Sequence, residues 1–314
     1  MNSKRIACVG AGIIGQGWAT VFSSRGLEVI LQDRGEPILE KAAENIASDL
    51  MLLEEHSLLG RGGARAAIKR IKTTTNLAEA VCNADYIQES VPDDYELKKQ
   101  VFRQMDTVAP DHAILASSAS GLLMSEIQKV TTMPGRCVLV HPMLPVYLIP
   151  LVEIVGGDQT SPATVDKAYE LMKDMGKSPV VLNREVPGYI VNRLQAALMR
   201  EAIDLVDKGI ASAEAVDKAF CVGIGLRDPF VGPFLRMHLA GNGIERFIDN
   251  FSESYENRWQ TMETWTSISA PARQAIEQGT RAMEVVRAKT LQEIQVWRDE
   301  MLIKLLGIMG EGKL

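Results

Sequence analysis

The chain has 314 residues, 46% hydrophobic and 24% charged, with a formal net charge of -6. That length is enough for two domains, each with its own core, and the balance excludes a disordered or fibrous chain. The acidic surplus speaks against nucleic acid or an anionic membrane as the main partner, and no apolar run approaches the roughly 18 residues of a membrane helix.

Four cysteines, Cys8, Cys82, Cys137 and Cys221, form no CxxC pair, so no metal site or disulfide framework is expected. The start of the chain carries no basic-then-apolar leader. A cytoplasmic enzyme is the expectation.

In chain order, short β-branched runs predict strands at Arg5–Val9, Glu28–Gln32, Tyr86–Gln88, Ile114–Ala116, Val138–Val140 and Val152–Val155. Their nearly continuous apolar character fits a sheet covered on both faces. Helical patterns lie between the early strands, at Pro37–Leu53 and Glu96–Val108. Such alternation predicts an α/β fold, a Rossmann-type doubly wound and mostly parallel sheet. Beyond Pro187 the strand-like runs stop and amphipathic segments take over: Tyr189–Lys208, Ser212–Val222, Gly243–Ser254, Pro271–Glu284 and Thr290–Gly307. The expected domains are therefore residues 1–186, nucleotide-binding, and 187–314, all-helical. Residues 310–314 are expected to fray.

Gly10-Ala11-Gly12-Ile13-Ile14-Gly15 comes directly after the first strand and opens a helix. The first glycine permits the tight turn, the second a close approach of pyrophosphate, and the third close packing of helix on strand. The helix start offers free N–H groups to phosphate. The next strand ends at Asp33, 18 residues beyond Gly15, where a carboxylate accepts from ribose hydroxyls and repels a 2′-phosphate. Arg34 beside it is the one feature that could pair with such a phosphate. The motif and its context predict NAD as cofactor, bound by Gly10, Gly12, Ile13, Ile14, Gly15 and Asp33.

The strand around Val138–Val140 runs into His141-Pro142, and Glu153 lies in the apolar run Leu151–Val155. A buried carboxylate there needs a partner, and pairing with the imidazole would raise its basicity. Ser120, after another strand, is expected on the same sheet edge. Asn192, on the first helix of the second domain, is expected to reach the same cleft.

Taken together, these motifs resemble the 3-hydroxyacyl-CoA dehydrogenase family: GAGIIG, Asp33, Ser120, His141, Glu153 and Pro187-Gly188-Tyr189-Ile190-Val191-Asn192-Arg193. Further stretches resemble its branch acting on free small molecules, with L-carnitine dehydrogenase and lambda-crystallin/L-gulonate 3-dehydrogenase. These are residues 88–94 (QESVPDD), 145–153 (PVYLIPLVE) and Gly225-Leu226-Arg227. The resemblance implies NAD-dependent oxidation of a secondary hydroxyl, with His141 as base supported by Glu153. It implies that Ser120 and Asn192 bond the reacting oxygen, that Asp93 and Lys98 contact the cofactor, and that the helical domain forms a homodimer.

The family's His-Pro-x-Asn-Pro reads His141-Pro142-Met143-Leu144-Pro145 here. Leu144 makes no hydrogen bond, and Met143 lacks the aromatic face that would help hold a trimethylammonium group. Either a different substrate is bound or another residue supplies the polar contact. Arg227 is a candidate clamp for a substrate carboxylate or sulfonate, its alternative being an ion pair with Asp228 or another acid. Phe230 and Phe234 read as core residues first and as substrate contacts second.

The expected substrate is thus a small 3-hydroxy acid or zwitterion. A short 3-hydroxyacyl-CoA is the alternative, for which Arg61, Arg65, Lys69, Arg70 and Lys72 would meet the phosphates. A non-catalytic NAD-binding structural protein is the third reading, favoured by Leu144.

Overall fold

The computed structural model describes residues 4–59 and 63–311 of the chain. It divides into two compact units, Met1–Arg193 and Leu194–Leu314.

The first unit is built from β1 (Arg5–Val9), α1 (Ile13–Ser24), β2 (Glu28–Gln32), α2 (Glu36–Glu55), α3 (Gly63–Lys69) and β3 (Ile71–Thr74). Next along the chain are α4 (Leu77–Val81), β4 (Tyr86–Glu89), α5 (Tyr95–Val108), β5 (Ile114–Ser117), α6 (Met124–Ile127), β6 (Cys137–Pro142), β7 (Leu151–Val155), α7 (Pro162–Asp174) and β8 (Ser178–Val181). The eight strands form one sheet in the order β3-β2-β1-β4-β5-β6-β7-β8. All neighbours are parallel except β6 and β7. Chain order reverses between β1 and β4, and in open α/β sheets ligands bind outside the carboxyl ends of the strands at such a point.

The sequence pattern located six of these strands and missed β3 and β8. Both are sheet edges, and Ile-Lys-Thr-Thr and Ser-Pro-Val-Val carry no continuous apolar run. An edge strand is covered on fewer sides and needs none.

Two layers of core flank the sheet. On one face Trp18, Phe22, Leu31, Leu39, Ile46 and Tyr86 are buried together. On the other lie Ile87, Phe102, Met105, Leu115 and Leu139. Helix α5 shows how the sequence builds this: Asp94 caps it by accepting from the Leu97 N–H at 2.8 Å. Its Val101, Phe102 and Met105 then fall on one buried stripe.

The second unit consists of helices: most of α8 (Val191–Asp207), then α9 (Ala213–Ala219), a π-helical turn Phe220–Ile224, α10 (Pro233–Gly241), α11 (Ile244–Trp259), α12 (Ala270–Ala282), α13 (Glu284–Ala288) and α14 (Leu291–Glu311). Helix α10 had no counterpart among the predicted segments. Gly310, expected in a frayed end, is instead the penultimate residue of α14, and residues 312–314 lie outside the described ones. Among the described residues no helix is long and apolar enough to cross a membrane, and no cluster of His, Cys, Asp and Glu could hold a metal ion.

Candidate active site

A cleft of about 840 Å³ opens at the carboxyl ends of β1, β2, β4 and β5. Gly10, Gly12, Ile13, Ile14, Asp33, Asp93 and Ser120 all line it. Gly10 has φ +95°, and a Cβ there would lie 2.8 Å from the Ser90 carbonyl oxygen, so only glycine makes this turn. A Cβ on Gly15 would fall 1.8 Å from the Gly10 carbonyl oxygen, whereas one on Gly12 would meet nothing within 4 Å. Gly15 thus serves the packing of α1, and Gly12 leaves open space facing the cleft.

Gly12 precedes α1 as its N-cap and offers no side-chain cap, so the first N–H groups of the helix are left for a ligand anion. Asp33 stands beyond β2, its two oxygens accepting from the N–H groups of Ala11 (2.8 Å) and Arg34 (2.7 Å). These bonds hold the carboxylate at the cleft wall and leave further lone pairs for ribose hydroxyls. An uncapped helix start, an open glycine and an anchored carboxylate fit a dinucleotide without a 2′-phosphate.

Strand register explains the second half of the site. In the antiparallel β6–β7 pair His141 lies directly opposite Glu153, which places both side chains on one face of the sheet. The His141 Nδ1 to Glu153 Oε2 distance is 2.9 Å, and the two residues are 4% and 1% exposed. The other carboxylate oxygen, Oε1, accepts from the N–H groups of Ile190 (2.8 Å) and Val191 (3.0 Å). Burial alone would raise this carboxyl, but hydrogen bonds from His141, Val191 and Ile190 outweigh it and hold Glu153 below the ordinary carboxylate range. An ionised carboxylate can only accept, so Nδ1 carries the proton and the basic lone pair sits on Nε2. The Tyr189 ring lies 5.2 Å from the imidazole and its hydroxyl donates to the Leu122 carbonyl at 2.5 Å. Sequence reasoning missed Tyr189. Its positive φ of 48° is a backbone property that no residue pattern announces.

Ser120 and Asn192 are brought together, in a different arrangement from the predicted one. The Ser120 hydroxyl donates to Asp93 Oδ2 at 2.7 Å, and the Asn192 amide donates to the Ser120 carbonyl at 3.1 Å. The Ser120 hydrogen is therefore held by Asp93, leaving the oxygen lone pairs free. Burial alone would raise the Asp93 carboxyl, but the Ser120 N–H (2.9 Å to Oδ2), the Ser120 hydroxyl and Lys98 outweigh it and hold it below the ordinary range. Asn192 belongs to the first compact unit, together with Tyr189, Ile190 and Val191, because this segment bonds to β7 and to the Ser120 region.

Lys98 is a correction. The resemblance implied a cofactor contact, but the side chain is fully buried and does not line the cleft. Its ammonium reaches Glu89 Oε1 (2.7 Å), the Val91 carbonyl (2.8 Å) and Asp93 Oδ1 (3.3 Å). Three partners use its three donors, and Ser117 completes the Glu89 site from the other oxygen at 2.6 Å. Lys98 thereby fastens the 90–93 loop from beneath.

His141 is one strand removed from the cleft's lining, on the neighbour of the strand that leads into Ser118 and Ser120. Met143 and Leu144 come next, in the β6–β7 loop, with Leu144 52% exposed and joined by a cis bond to Pro145.

In the second unit Arg227 is exposed. Asp228 pairs with Arg236 at 2.8 Å, so the expected alternative, an Arg227–Asp228 pair, does not form. Phe230 and Phe234, expected as core residues first and substrate contacts second, are 49% and 78% exposed and so are not core. The buried apolar side chains of this unit are few, Ala213, Phe247, Ala272, Met283 and Ile303, and the two phenylalanines lie outside that small interior.

Of the basic residues considered for a CoA ester, Arg61 lies outside the described residues. Arg70 donates to the Ser23 carbonyl at 3.1 Å, and Lys69 and Lys72 share a groove with Arg5 and Glu28. That groove is at the amino ends of β1, β2 and β3, the sheet edge opposite the cleft.

Comparison with known proteins places the chain in a family. The family profile "3-hydroxyacyl-CoA dehydrogenase, NAD binding domain" matches residues 5–186, and "3-hydroxyacyl-CoA dehydrogenase, C-terminal domain" matches 188–279. The chain is 37% identical over 315 residues to the lambda-crystallin homolog of Homo sapiens, covering 99% of each. It is 38% identical over 310 residues to L-carnitine dehydrogenase of Nocardiopsis dassonvillei, covering 98% of this chain and 92% of the relative. A solved structure of 5-formyl-3-hydroxy-2-methylpyridine 4-carboxylic acid 5-dehydrogenase, described as an NAD+-dependent dismutase, superposes with a TM-score of 0.85 at 26% identity, covering 99% of both chains. The glycine turn, Asp33 and the mostly parallel sheet thus form an NAD-binding domain, and the chain belongs to the 3-hydroxyacyl-CoA dehydrogenase family.

Proposed function

We propose that the chain is a dehydrogenase that oxidises the secondary hydroxyl of a small 3-hydroxy acid or zwitterion, carnitine-like or gulonate-like, with His141 as general base. The observation that carries this reading is the buried His141–Glu153 pair, whose geometry leaves Nε2 as the free basic nitrogen. NAD, when bound, supplies the acceptor for the substrate's hydride. His141 takes the hydroxyl proton at Nε2, and Glu153 holds the ring and stabilises the imidazolium. Ser120 offers an oxygen lone pair toward the cleft, its hydrogen being held by Asp93.

The likeness to an L-carnitine dehydrogenase and a lambda-crystallin homolog supports a substrate that is a free small molecule rather than a thioester. The position of the Lys69, Arg70 and Lys72 cluster at the opposite sheet edge supports the same choice. The second unit also pairs two chains, supported by its exposed Phe234, Leu239, Trp259 and Leu291.

The test is NADH formation, measured by absorbance, with a panel of 3-hydroxy acids, betaines and CoA esters. His141→Asn lowers kcat by about 10²–10⁴-fold while NAD still binds. Unchanged turnover in that variant rejects the role of His141, and turnover confined to CoA esters rejects the substrate class.

A further inference from the structure

A chain of buried hydrogen bonds runs beneath the cleft, and its polarity can be worked out one donor at a time. It starts at the Val140 carbonyl, which can only accept. The Gln88 amide lies 3.3 Å from it, so the Gln88 group facing Val140 is the NH2. That orientation leaves Gln88 Oε1 to accept from the Tyr86 hydroxyl at 2.7 Å. The same NH2 donates to Ser118 Oγ at 2.8 Å, and the Trp18 indole N–H donates to that oxygen at 3.1 Å. Tyr86, Gln88, Trp18 and Ser118 are all buried.

Two donors fill both lone pairs of Ser118 Oγ. Its own hydrogen must then go to its remaining partner, Ser90 Oγ, 2.9 Å away. Ser90 is thus fixed as an acceptor inside the protein, and its hydrogen has no acceptor among the described residues. Ser90 is only half-buried, it lines the cleft, and its Cβ stands 3.7 Å from where a side chain on Gly15 would begin.

We infer that the Ser90 hydroxyl is a cofactor-binding group that donates a hydrogen bond to an oxygen on the nicotinamide half of the dinucleotide. Strand order gives the half. Asp33, just beyond β2, takes the adenosine ribose on one side of the glycine turn. Ser90 and Ser118 directly follow β4 and β5 on the other side, toward Ser120 and β6. Gln88, Trp18 and Ser118 are positioning residues that hold the Ser90 hydrogen outward. The inference rests on NAD binding alone and not on the substrate or on His141.

The test is calorimetric titration with NAD+ and, separately, with AMP, which lacks the nicotinamide half. Ser90→Ala weakens NAD+ binding about fivefold, the worth of one neutral hydrogen bond, and leaves AMP binding unchanged. Ser90→Thr, which keeps the hydroxyl, retains affinity for NAD+ and serves as the control should alanine disturb the loop. In the double variant Ser90→Ala/Ser118→Ala the loss equals that of Ser90→Ala alone, because Ser118 acts only through Ser90. An unchanged NAD+ affinity in Ser90→Ala, an equal loss for AMP, or additive losses in the double variant overturns the inference.

Discussion

Replacing Glu153 by glutamine changes one atom and removes one charge, and the hydrogen bonds around the side chain dictate the consequence. The position of Oε1 receives two backbone N–H donors, from Ile190 and Val191. Only the amide oxygen can take that place, so the NH2 group must occupy the position of Oε2, 2.9 Å from His141 Nδ1. An NH2 group there donates. His141 must answer with a lone pair on Nδ1, and its hydrogen moves to Nε2, the nitrogen that is to accept the substrate proton. The variant therefore keeps the fold and the packing while holding the imidazole in the wrong tautomer. The charge that stabilises an imidazolium is lost as well. Together these lower kcat by about 10²–10⁴-fold and cost about 1–3 kcal/mol of stability through the lost charge-assisted bond. The assay is steady-state NADH formation across pH, with NAD affinity measured separately and unchanged. Raising the pH does not restore the rate, because a tautomer is not titrated away. A kcat within about threefold of the parent across the pH range would refute the assignment of Glu153 as the orienting group.

The other expectations are independent of this one. Gly12→Ala folds normally, since its Cβ meets nothing in the protein, yet it loses NAD affinity because the methyl group occupies the phosphate's approach. Gly15→Ala, whose Cβ would collide with the Gly10 carbonyl, loses thermal stability as well, and equal melting temperatures for the two variants contradict the distinction. Lys177 is buried, with its ammonium on the carbonyls of Val146 and Ile149; burial, aided by Arg25, pushes it down to about 7. The unfolded chain, with an ordinary lysine near 10.4, then holds more protons than the folded one between about pH 7 and 10.4. Lys177 contributes an increase in stability with pH across that window, and urea titrations of Lys177→Met show that increase diminished. Glu153 is shifted in the same downward direction but titrates in the acid range: its contribution is present at neutral pH and lost as pH falls through its lowered folded value. Glu153→Gln accordingly loses less stability on acidification than the parent does.

Much of the fold was legible because it is written in local chemistry. A fully covered strand needs a continuous apolar run, a phosphate-binding turn needs its glycines at fixed spacing, and an acidic residue must close the second strand. Those requirements fall within about 30 residues of chain, so Gly10 to Asp33 could be read without coordinates. The edge strands β3 and β8 were not legible, since a strand with an exposed side has no obligatory pattern.

What the tertiary structure alone decided is which partner each polar side chain takes. His141 and Glu153 were recognised as a pair from an isolated carboxylate in an apolar strand, but their directly opposed register and the two N–H donors from residues 190 and 191 come from how β6, β7 and the 190–191 segment meet. Lys98 is a polar residue on a helix start by sequence, and a buried threefold donor in space. The Ser120 hydroxyl turns to Asp93, 27 positions away, and Ser90 is aimed by Ser118, whose oxygen takes donors from Trp18 on α1 and Gln88 on β4. Hydrogen bonds between residues distant along the chain depend on angles and distances set by packing. Residue types and spacing specify the elements, and only their assembly settles where each hydrogen points.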